Sequence, residues 1–420
     1  MNILNWCNSM IYTKKKFDKK QKVRKSVCLI TFSDFGLGRA EPIARAMKKM
    51  NLEVLVVTNR PVYSGSFEPI KDSLSSYGID ALEVPLPRLP YNNIASRLIY
   101  YILFTFLSVL ILFKSRRKFD FCYSRGPQPF TDISCYILKI FQGSKIISDI
   151  TDLWPDALEY VPLNTYIKRV LVLLGHGVNS LMWNKIDVIV THNELMAYIL
   201  SHRSGKKTHV IYGAIDLEKF IPMHKQEAFQ KLPRNIREKL NINSFIILYA
   251  GLLGPFQNPE IILKLAQYIN DVSFVIIGTG PLKGKLIKEK ETQQISNVSI
   301  FDTVPNSLMP FVYNIADLFL FTYAPSSFLI TGLPKKFIEY AACGRPIICI
   351  TPDCVASMLC SKWKAGYTVH PEKLEEAVKI IRELKLNENH RITLGNNARL
   401  MAEKLFSIDN IEKTLREILH

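Results

Sequence analysis

Short apolar runs alternate with longer amphipathic segments along the chain from Val27 onwards. Strand-length apolar runs separated by helix-length segments are typical of a parallel sheet wrapped by helices. The pattern predicts a first series of strands over 27–33, 54–58, 80–85, 119–124, 145–150 and 187–192. It predicts a second series over 245–251, 273–278, 298–302, 317–323 and 346–351. We therefore expect an α/β protein with two Rossmann-like, doubly wound domains.

The two series of strands place the domain boundary near residue 215, and the polar stretch 223–234 is the expected linker. The first helix of that stretch could equally open the second domain. A chain of 420 residues with 48% apolar and 22% charged residues is typical of folded domains, which excludes disorder of the whole chain. We expect a basic arm, a first domain, a second domain and a C-terminal helix that packs back toward the first domain, over 1–25, 26–215, 216–400 and 401–420.

The chain carries 54 basic against 37 acidic residues, a net charge of +17, and part of the excess lies in residues 1–25. Such an excess indicates a polyanionic partner. The sequence contains no zinc-finger spacing, RNP-like aromatic motif or basic helix followed by heptads. An anionic membrane surface is therefore favoured over nucleic acid, with plain solubility as the alternative. The N-terminus lacks an apolar stretch followed by a small-residue cleavage site, so we expect a cytoplasmic folded body.

The cysteines are scattered, with no Cys-x-x-Cys pair and no nearby histidine that would complete a zinc site. We expect no metal site, and we expect reduced, buried thiols in a reducing compartment. The residues concerned are Cys7, Cys28, Cys122, Cys135, Cys343, Cys349, Cys354 and Cys360.

Residues 98–113 form a nearly unbroken apolar segment, and the basic run 114–118 follows it. A membrane-spanning helix needs about 20 residues, so this segment is short. A single crossing would also put strands of one sheet on opposite sides of a bilayer. Three interpretations remain: a helix whose outer face enters one leaflet, an ordinary buried helix, or a spanning or re-entrant segment. The neighbouring basic run favours the first.

The segment 325–351 runs from a strand through a Gly-Leu-Pro turn into a helix and then into another strand. Pro334 occupies a first helical position, and Gly332 allows the preceding turn. The helix N-terminus offers unpaired N–H groups and a partial positive charge, to which Lys335 and Lys336 add two full charges. The sequence therefore predicts a diphosphate site at this helix.

Glu339 lies one turn further on, on the same helix face as Lys335. Its carboxylate could accept two hydrogen bonds from a ribose diol. The alternative is a plain lysine–glutamate pair on a solvated helix face.

The segment 325–351 resembles the Glu-x7-Glu region of family-4 retaining glycosyltransferases, which have the GT-B fold of two Rossmann-like domains facing a central cleft. The resemblance covers about residues 27–405. The Asp-Leu-Trp-Pro within 147–160 resembles the subgroup that transfers amino sugars to polyprenyl-diphosphate-linked acceptors in surface polysaccharide synthesis. Three further segments stand in the family's order, YAGLLGPFQNPEIILKLA (249–266), FVIIGTGPLKGKL (274–286) and VSIFDTVPNSLMPFVYNIADLFLF (298–321).

The resemblance implies a nucleotide-sugar donor bound to the second domain, with Lys335 as a catalytic residue that stabilises the departing diphosphate. Thr331 stands where the family has a glutamate that binds the donor sugar. The stretch 251–258 lacks the arginine and lysine that usually grip the diphosphate, so Lys335 and the glycine backbone would carry more of that charge. The expected donor-binding residues are Glu339, Lys336, Gly332, Leu333, Thr331, Gly251, Gly254, Gly278, Gly280 and Val304.

Most family members place a histidine after a strand of the first domain, beside the donor sugar. The comparable turn here contains Asp149, Thr151 and Asp152. Asp152 is the expected catalytic substitute, and the alternative is that it caps the following helix. His176 and His192 are interpreted as satisfied core histidines.

The loop 34–39 follows the first strand and precedes a helix, so its backbone can approach a ligand closely. Gly36, Gly38 and Arg39 are the expected acceptor-binding residues of this loop, with Arg39 as a partner of an acceptor diphosphate. The alternative is a merely tight turn. Arg125 is equally placed for an anionic acceptor, and a salt-bridge role is as plausible.

We therefore expect a metal-independent, cofactor-free, retaining glycosyltransferase at the inner face of the cell membrane. The donor is expected to be a nucleotide-diphosphate sugar, UDP-linked, and the acceptor a membrane lipid or glycolipid. Two alternatives of other classes are a non-catalytic partner subunit of the same fold and a nucleotide-sugar 2-epimerase.

Overall fold

The computed structural model describes residues 24–32, 38–60, 74–87, 94–156, 158, 164–326 and 329–419. Most of the basic arm (1–25) and the site residue Gly36 lie outside the described residues.

The first domain is built on a seven-stranded sheet in which every strand pair is parallel. The strand order is β3-β2-β1-β4-β5-β6-β7. Apolar side chains face both sides of this sheet because helices cover both faces. The strands are β1 (Ser26–Thr31), β2 (Glu53–Asn59), β3 (Asp80–Val84), β4 (Phe121–Arg125), β5 (Lys145–Asp149), β6 (Val188–Thr191) and β7 (Thr208–Val210). The helices are α1 (Ala40–Lys49), α2 (Ile94–Ser115), α3 (Phe130–Gln142), α4 (Thr165–Lys185) and α5 (Glu194–Ser204).

The second domain is built on a six-stranded parallel sheet of order β10-β9-β8-β11-β12-β13. Its strands are β8 (Ile246–Ala250), β9 (Ser273–Ile277), β10 (Val298–Phe301), β11 (Leu318–Thr322), β12 (Ile347–Ile350) and β13 (Gly366–Val369). Its helices are α6 (Lys225–Gln230), α7 (Arg234–Arg237), α8 (Glu260–Tyr268), α9 (Lys283–Thr292), α10 (Met309–Asn314), α11 (Lys335–Ala342), α12 (Val355–Lys362), α13 (Leu374–Leu386) and α14 (Glu388–Leu405).

Every predicted strand is present, with ends shifted by at most two residues. Two observed strands, β7 and β13, lie outside the predicted series. Each is short, and each lies at the edge of its sheet with partly exposed side chains. An edge strand need not be apolar on both faces, so it has no clear hydrophobic run.

The polar stretch 223–234 is part of the second domain rather than a free linker. Its residues Ala228 and Leu232 are buried in the core of that domain. The Lys225 ammonium donates to a carboxylate oxygen of Asp317 at 2.5 Å, next to the start of β11. The alternative that this helix opens the second domain is therefore the observed arrangement.

The last helix, α15 (Ile408–Ile418), returns to the first domain. Ile411 and Leu415 are buried in the first-domain core against α1, on the sheet face opposite α2. The Lys49 ammonium lies 2.5 Å from a carboxylate oxygen of Asp409. Helix α14 still packs in the second domain through Met401, so the chain changes domain after Leu405 rather than at residue 401.

Helix α2 connects β3 to β4, which belong to one sheet. Tyr100, Phe104 and Leu112 are buried on its inner side, whereas Phe106 and Leu110 are more than half exposed on its outer side. The window 96–115 is long and apolar enough to cross a membrane, but 33% of it is buried in the protein. The helix thus covers the sheet with its inner side and leaves its outer side exposed. Because it connects two strands of one sheet, its position is incompatible with a single crossing of a bilayer.

The seven cysteines within the described ranges are all buried and unbridged. Burial raises the pKa of the Cys28, Cys135 and Cys349 thiols. These thiols are packing groups, in agreement with the expectation for them; Cys7 lies outside the described residues.

Candidate active site

A cavity of about 680 Å³ lies between the two domains. Its first-domain wall comes from the residues that end or follow β1, β4, β5 and β6, and its second-domain wall is the segment 329–335 with Ile338 and Tyr323. The carboxyl ends of parallel strands are where open α/β sheets bind ligands. This cavity is therefore the candidate active site.

The second-domain wall contains four predicted residues, Thr331, Gly332, Leu333 and Lys335. Helix α11 begins at Lys335, and its first N–H groups have no partner within the helix. The Lys335 side chain is 67% exposed, and its ammonium lies 3.3 Å from a carboxylate oxygen of Glu339. Because most of the Lys335 side chain is exposed, its ammonium is accessible to an anionic ligand in the cavity.

Glu339 lies behind the wall of the cavity and is 7% exposed. Its Oε2 accepts a hydrogen bond of 2.7 Å from the hydroxyl of Tyr313. Its Oε1 faces Lys335. The predicted lysine–glutamate pair therefore exists, but Glu339 belongs to a buried polar network rather than to a solvated helix face.

Lys336 points away from the cavity. Its ammonium donates to the hydroxyl of Tyr249 at 3.0 Å and lies 4.1 Å from the centre of that ring and 5.3 Å from the ring of Phe321. Burial lowers the pKa of Lys336 to about 7. A Cβ placed on Gly251 would lie 3.2 Å from Cδ of Lys336. Lys336 and the Gly251 loop are thus brought together, beside the cavity rather than in its wall.

The other predicted donor glycines hold two loops against each other. A Cβ at Gly278 would lie 1.9 Å from the carbonyl oxygen of Gly251, and one at Gly280 would lie 2.4 Å from the carbonyl oxygen of Leu253. Gly280 also has φ +154°, which disfavours any side chain. A Cβ at Gly254 would meet a side chain, and Val304 packs against the core. None of these residues lines the cavity.

Arg39 lies in the first-domain wall and forms a buried ion pair with Asp149. Its Nε is 3.0 Å from Asp149 Oδ2, and the two side chains are 8% and 0% exposed. Nη2 donates to the carbonyl oxygen of Thr191 at 3.3 Å. Gly38, which precedes it at φ +48°, also lines the cavity. Arg39 therefore faces the cavity while part of its charge is balanced inside the domain.

Arg125 ends β4, where it is in register with both Thr31 and Asp149. Burial lowers the pKa of its guanidinium. Arg125 takes part in none of the ion pairs found among the described residues, so the alternative role in a salt bridge is not seen there. Its Nε, like Nη1 of Arg39, is buried without a hydrogen-bond partner within the described part of the chain. Two unpaired arginine donors at one wall of a cavity form a suitable site for an anion.

Asp152 is exposed at the mouth of the same wall, in the Asp-Leu-Trp-Pro loop. Its carbonyl oxygen accepts from the backbone N–H of Trp154 at 2.9 Å. Asp152 caps no α-helix of the described residues: the next such helix begins at Thr165, and Asn164 caps it through Tyr166.

The interpretation of the two histidines as core residues is wrong. His192 lines the cavity, and its Nε2 lies 3.0 Å from the carbonyl oxygen of Thr331 in the other domain. Its Nδ1 is buried with no partner in the described ranges. Burial, followed by the charge of Arg39, lowers the pKa of His192, so the imidazole is neutral at pH 7. His176 is partly exposed and lies 3.0 Å from a carboxylate oxygen of Asp156.

A sequence signal for His192 was present. It follows β6 directly, at the carboxyl end of a parallel strand, where ligand-binding residues concentrate. Its neighbour Asn193 also donates to the carbonyl oxygen of Thr331, at 2.9 Å.

Among the described residues, no cluster of three or more histidine, cysteine, aspartate or glutamate side chains is arranged to hold a metal ion.

Several solved structures share this arrangement of two domains. The chain superposes on Anabaena Alr3699/HepE in complex with UDP-glucose with a TM-score of 0.66 and 16% identity, covering 94% of this chain and 99% of that one. It superposes on WaaG, a glycosyltransferase involved in lipopolysaccharide biosynthesis, with a TM-score of 0.63 and 14% identity, covering 92% and 98%. These likenesses concern the fold, and they confirm the predicted GT-B architecture.

The sequence adds the identity of the second domain. Residues 233–401 match the family model described as Glycosyl transferases group 1. This match lies within the second domain, and it confirms the family-4 resemblance there.

Curated relatives of the chain are named as glycosyltransferases. The chain is 26% identical over 183 residues to the putative colanic acid biosynthesis glycosyl transferase WcaI of Escherichia coli strain K12, which is 42% of this chain and 44% of that protein. It is 30% identical over 149 residues to an Escherichia coli UDP-Gal:alpha-D-GlcNAc-diphosphoundecaprenol alpha-1,3-galactosyltransferase, 34% and 36% of the two chains. The matches thus span less than half of the length of these relatives.

Proposed function

We propose that this protein is a retaining glycosyltransferase that moves a sugar from a UDP-linked donor to a lipid-linked saccharide in cell-surface polysaccharide or glycolipid synthesis. The observation that carries this proposal is the cavity between the domains. One wall presents Lys335 and the start of α11, and the other presents Arg39 and Arg125. Two cationic walls facing each other suit a diphosphate donor and an anionic acceptor.

The donor half of the proposal rests on charge at the departing diphosphate. As the glycosidic bond breaks, negative charge grows on that group, and fixed donors stabilise the transition state more than the ground state. Lys335 and the helix N-terminus supply those donors without a divalent ion. Glu339, held by Tyr313, is suited to bind the ribose diol.

The acceptor half of the proposal rests on the first-domain wall. Nη1 of Arg39 and Nε of Arg125 lack partners within the described residues, and a lipid-linked diphosphate would satisfy both. The neutral imidazole of His192 offers one further polar atom to a substrate hydroxyl. Retention of configuration would follow if the acceptor hydroxyl attacks from the face of the leaving group, with a donor phosphate oxygen as its base.

The names of relatives support both halves. Alr3699/HepE was solved with UDP and with UDP-glucose. The galactosyltransferase relative is named for a UDP-linked donor and a diphosphoundecaprenol acceptor. The proposal includes transfer of an amino sugar, which is the specificity of the subgroup that the Asp-Leu-Trp-Pro sequence resembles.

Peripheral binding to the inner face of the cell membrane follows from a lipid-linked acceptor. The outer side of α2 supplies apolar surface, with Phe106 63% and Leu110 54% exposed. The lysine and arginine residues that follow the helix, together with those of the basic arm, would attract an anionic leaflet.

The test is release of UDP from UDP-sugars, after a panel of UDP, GDP, ADP and dTDP has identified the base by thermal stabilisation. A ligand at 100 times its dissociation constant adds about 2.7 kcal/mol to the free energy of unfolding. Slow UDP release supports a transferase, and Lys335→Ala should lower kcat more than it raises KM. Formation of an epimer would indicate a 2-epimerase. Binding of UDP-sugar without turnover, both with and without a lipid-diphosphate acceptor, would indicate a non-catalytic partner subunit. The matched control is Lys379→Ala, an exposed lysine on α13.

A further inference from the structure

Helix α4 exposes an unusual amount of apolar surface. Leu173 is 74% exposed, Leu181 69% and Leu174 61%. Of the 28 large hydrophobic side chains that are exposed in the described residues, six lie on α2, two on α3 and eight on α4. A soluble monomer rarely gathers so many on neighbouring elements unless they bind something.

The three helices lie side by side on one face of the first sheet. Helix α3 contacts both α2 and α4. The rings of Phe113 on α2 and Phe141 on α3 meet edge to face at 5.1 Å between centroids. Phe141 is itself 70% exposed, so α3 adds to the apolar surface of α2. We call the outer surface of these three helices the apolar face.

The charged side chains that α2 and α4 themselves carry are all basic. Neither α2 nor α4 contains an aspartate or a glutamate. Helix α4 carries Lys168 and Arg169 near its start and Lys185 at its end, and Lys114 ends α2. Apolar side chains bordered by basic residues match the acyl layer and headgroups of an anionic leaflet. A second copy of the chain would instead bring equal charges together.

Helix α4 is fixed to the loop that forms one wall of the active-site cavity. Gly175 packs so closely that a Cβ there would lie 2.7 Å from Pro155. The Asn179 amide donates to the carbonyl oxygen of Trp154 at 2.6 Å. The loop's Leu153 and Asp156 line the cavity. A surface bound to α4 would thus lie next to the cavity, at the side of the first domain.

We propose that α4 is a membrane-binding helix, and that it places an anionic leaflet at the entrance of the cavity so that a lipid-linked acceptor reaches it without leaving the bilayer. This inference deepens the proposed function and rests on it for the identity of the acceptor. The binding of α4 to the leaflet itself depends only on the apolar face and its charges. Half of the exposed apolar residues of the face belong to α4, so the anchor is not confined to α2.

The experiment compares two doubly substituted variants of the full chain. Leu174→Glu with Leu181→Glu places two carboxylates on the apolar face. The control is Leu386→Glu with Ile392→Glu, which adds the same charge in the second domain. Leu386 on α13 is 87% exposed, and Ile392 on α14 is 53% exposed. Flotation with vesicles of equal parts phosphatidylglycerol and phosphatidylcholine measures membrane binding. Circular dichroism checks that both variants are folded.

We expect the α4 variant to lose about tenfold or more in vesicle partitioning at high salt, and the control variant to bind as the wild type does. Equal partitioning of the three proteins would overturn the proposal. So would light scattering that shows a wild-type dimer in the absence of lipid and a monomeric α4 variant, because the face would then be a contact between copies.

UDP release separates this outcome from failure of the proposed function. The α4 variant should keep wild-type UDP release in solution while it loses transfer to a vesicle-embedded acceptor. A wild type that binds vesicles through α4 but neither binds nor releases UDP would refute the transferase and leave the membrane helix in place. A second readout is Leu173→Trp, whose fluorescence should be quenched by brominated lipid; an unquenched tryptophan would also overturn the proposal.

Discussion

The imidazole Nε2 of His192 lies 3.0 Å from the carbonyl oxygen of Thr331, across the cleft between the two domains. Asn193 donates to the same oxygen at 2.9 Å. Thr331 occupies the position where the family-4 resemblance places a sugar-binding glutamate. Two adjacent first-domain residues therefore contact the segment that forms the second-domain wall of the cavity, and the other imidazole nitrogen remains without a partner among the described residues.

His192→Ala should lower the rate of sugar transfer at least about tenfold, because His192 lines the cavity and its Nδ1 has no partner among the described residues that would compete with a substrate hydroxyl. Asn193→Ala is the matched variant, since it removes only the second bond to Thr331 and the cap of α5. It should cost about 1 kcal/mol of stability and leave most of the activity. Equal losses of kcat in both variants would show that His192 only holds the domains together.

Glu339→Gln should weaken UDP binding by about 1.5–3 kcal/mol, the range for a hydrogen bond to a charged group. Tyr313→Phe is the control, because it removes the hydroxyl that donates to Glu339 and retains the carboxylate. Calorimetry with UDP should therefore distinguish the two variants. An unchanged affinity in Glu339→Gln would remove this residue from the nucleotide site.

Donor binding should take up protons above pH 7 if Lys336 interacts with the diphosphate. Burial lowers the pKa of Lys336 to about 7, and a bound diphosphate would raise it again. Affinity for UDP-glucose should then be greatest below about pH 7 and should fall as the pH rises through the pKa of the free protein. UDP-glucose is the suitable ligand because its diphosphate has no group that titrates in this range.

Calorimetry near pH 8 in two buffers of different ionisation enthalpy would measure this uptake, with an expected value approaching one proton per donor. The Lys336→Met variant should show none of it. Equal heats in both buffers for the wild type would mean that the Lys336 ammonium does not respond to the donor.

Arg39→Ala should destabilise the first domain by about 3–5 kcal/mol, because it leaves the fully buried carboxylate of Asp149 without its ion-pair partner. The double variant Arg39→Ala with Asp149→Asn should recover part of that loss. Denaturant unfolding of the two proteins measures the difference. A single variant as stable as the wild type would show that Asp149 is compensated by another group.

Deletion of residues 1–22 should make binding to anionic vesicles weaker and less sensitive to salt. Each basic residue near such a surface contributes about 1 kcal/mol, which salt screens, whereas insertion of apolar side chains is not screened. Lys25 is retained because its ammonium donates to the carbonyl oxygen of Leu419 at 2.9 Å. If the shortened protein shows the same salt dependence as the full chain, the basic arm has another partner.

The sequence by itself determined the fold class and the residues at the start of α11 that form part of the second-domain wall of the cavity. Parallel strands buried on both faces require continuous apolar runs, so each central strand was visible as a run. The predicted diphosphate site depends on residues close in sequence, since Pro334 and Lys335 meet at one helix start. Such local signals need no knowledge of long-range packing.

Only the tertiary structure decided which predicted residues face the cavity. Lys335 and Lys336 are neighbours in sequence, yet one is exposed at the cavity and the other lies among aromatic rings contributed by β8 and β11. The role of His192 depends on Thr331, 139 positions away in the chain. Side-chain direction and contacts between domains result from packing over long sequence separations, and no local pattern encodes them.

The apolar face illustrates the same limit. The run 98–113 was visible because nearly every residue in it is apolar, whereas α4 mixes its leucines with glycine, histidine and lysine. The exposure of those leucines depends on which side of α4 packs against the sheet and the Asp-Leu-Trp-Pro loop. Composition states which side chains are apolar, and only the packing of the domain decides which of them remain in contact with the surroundings.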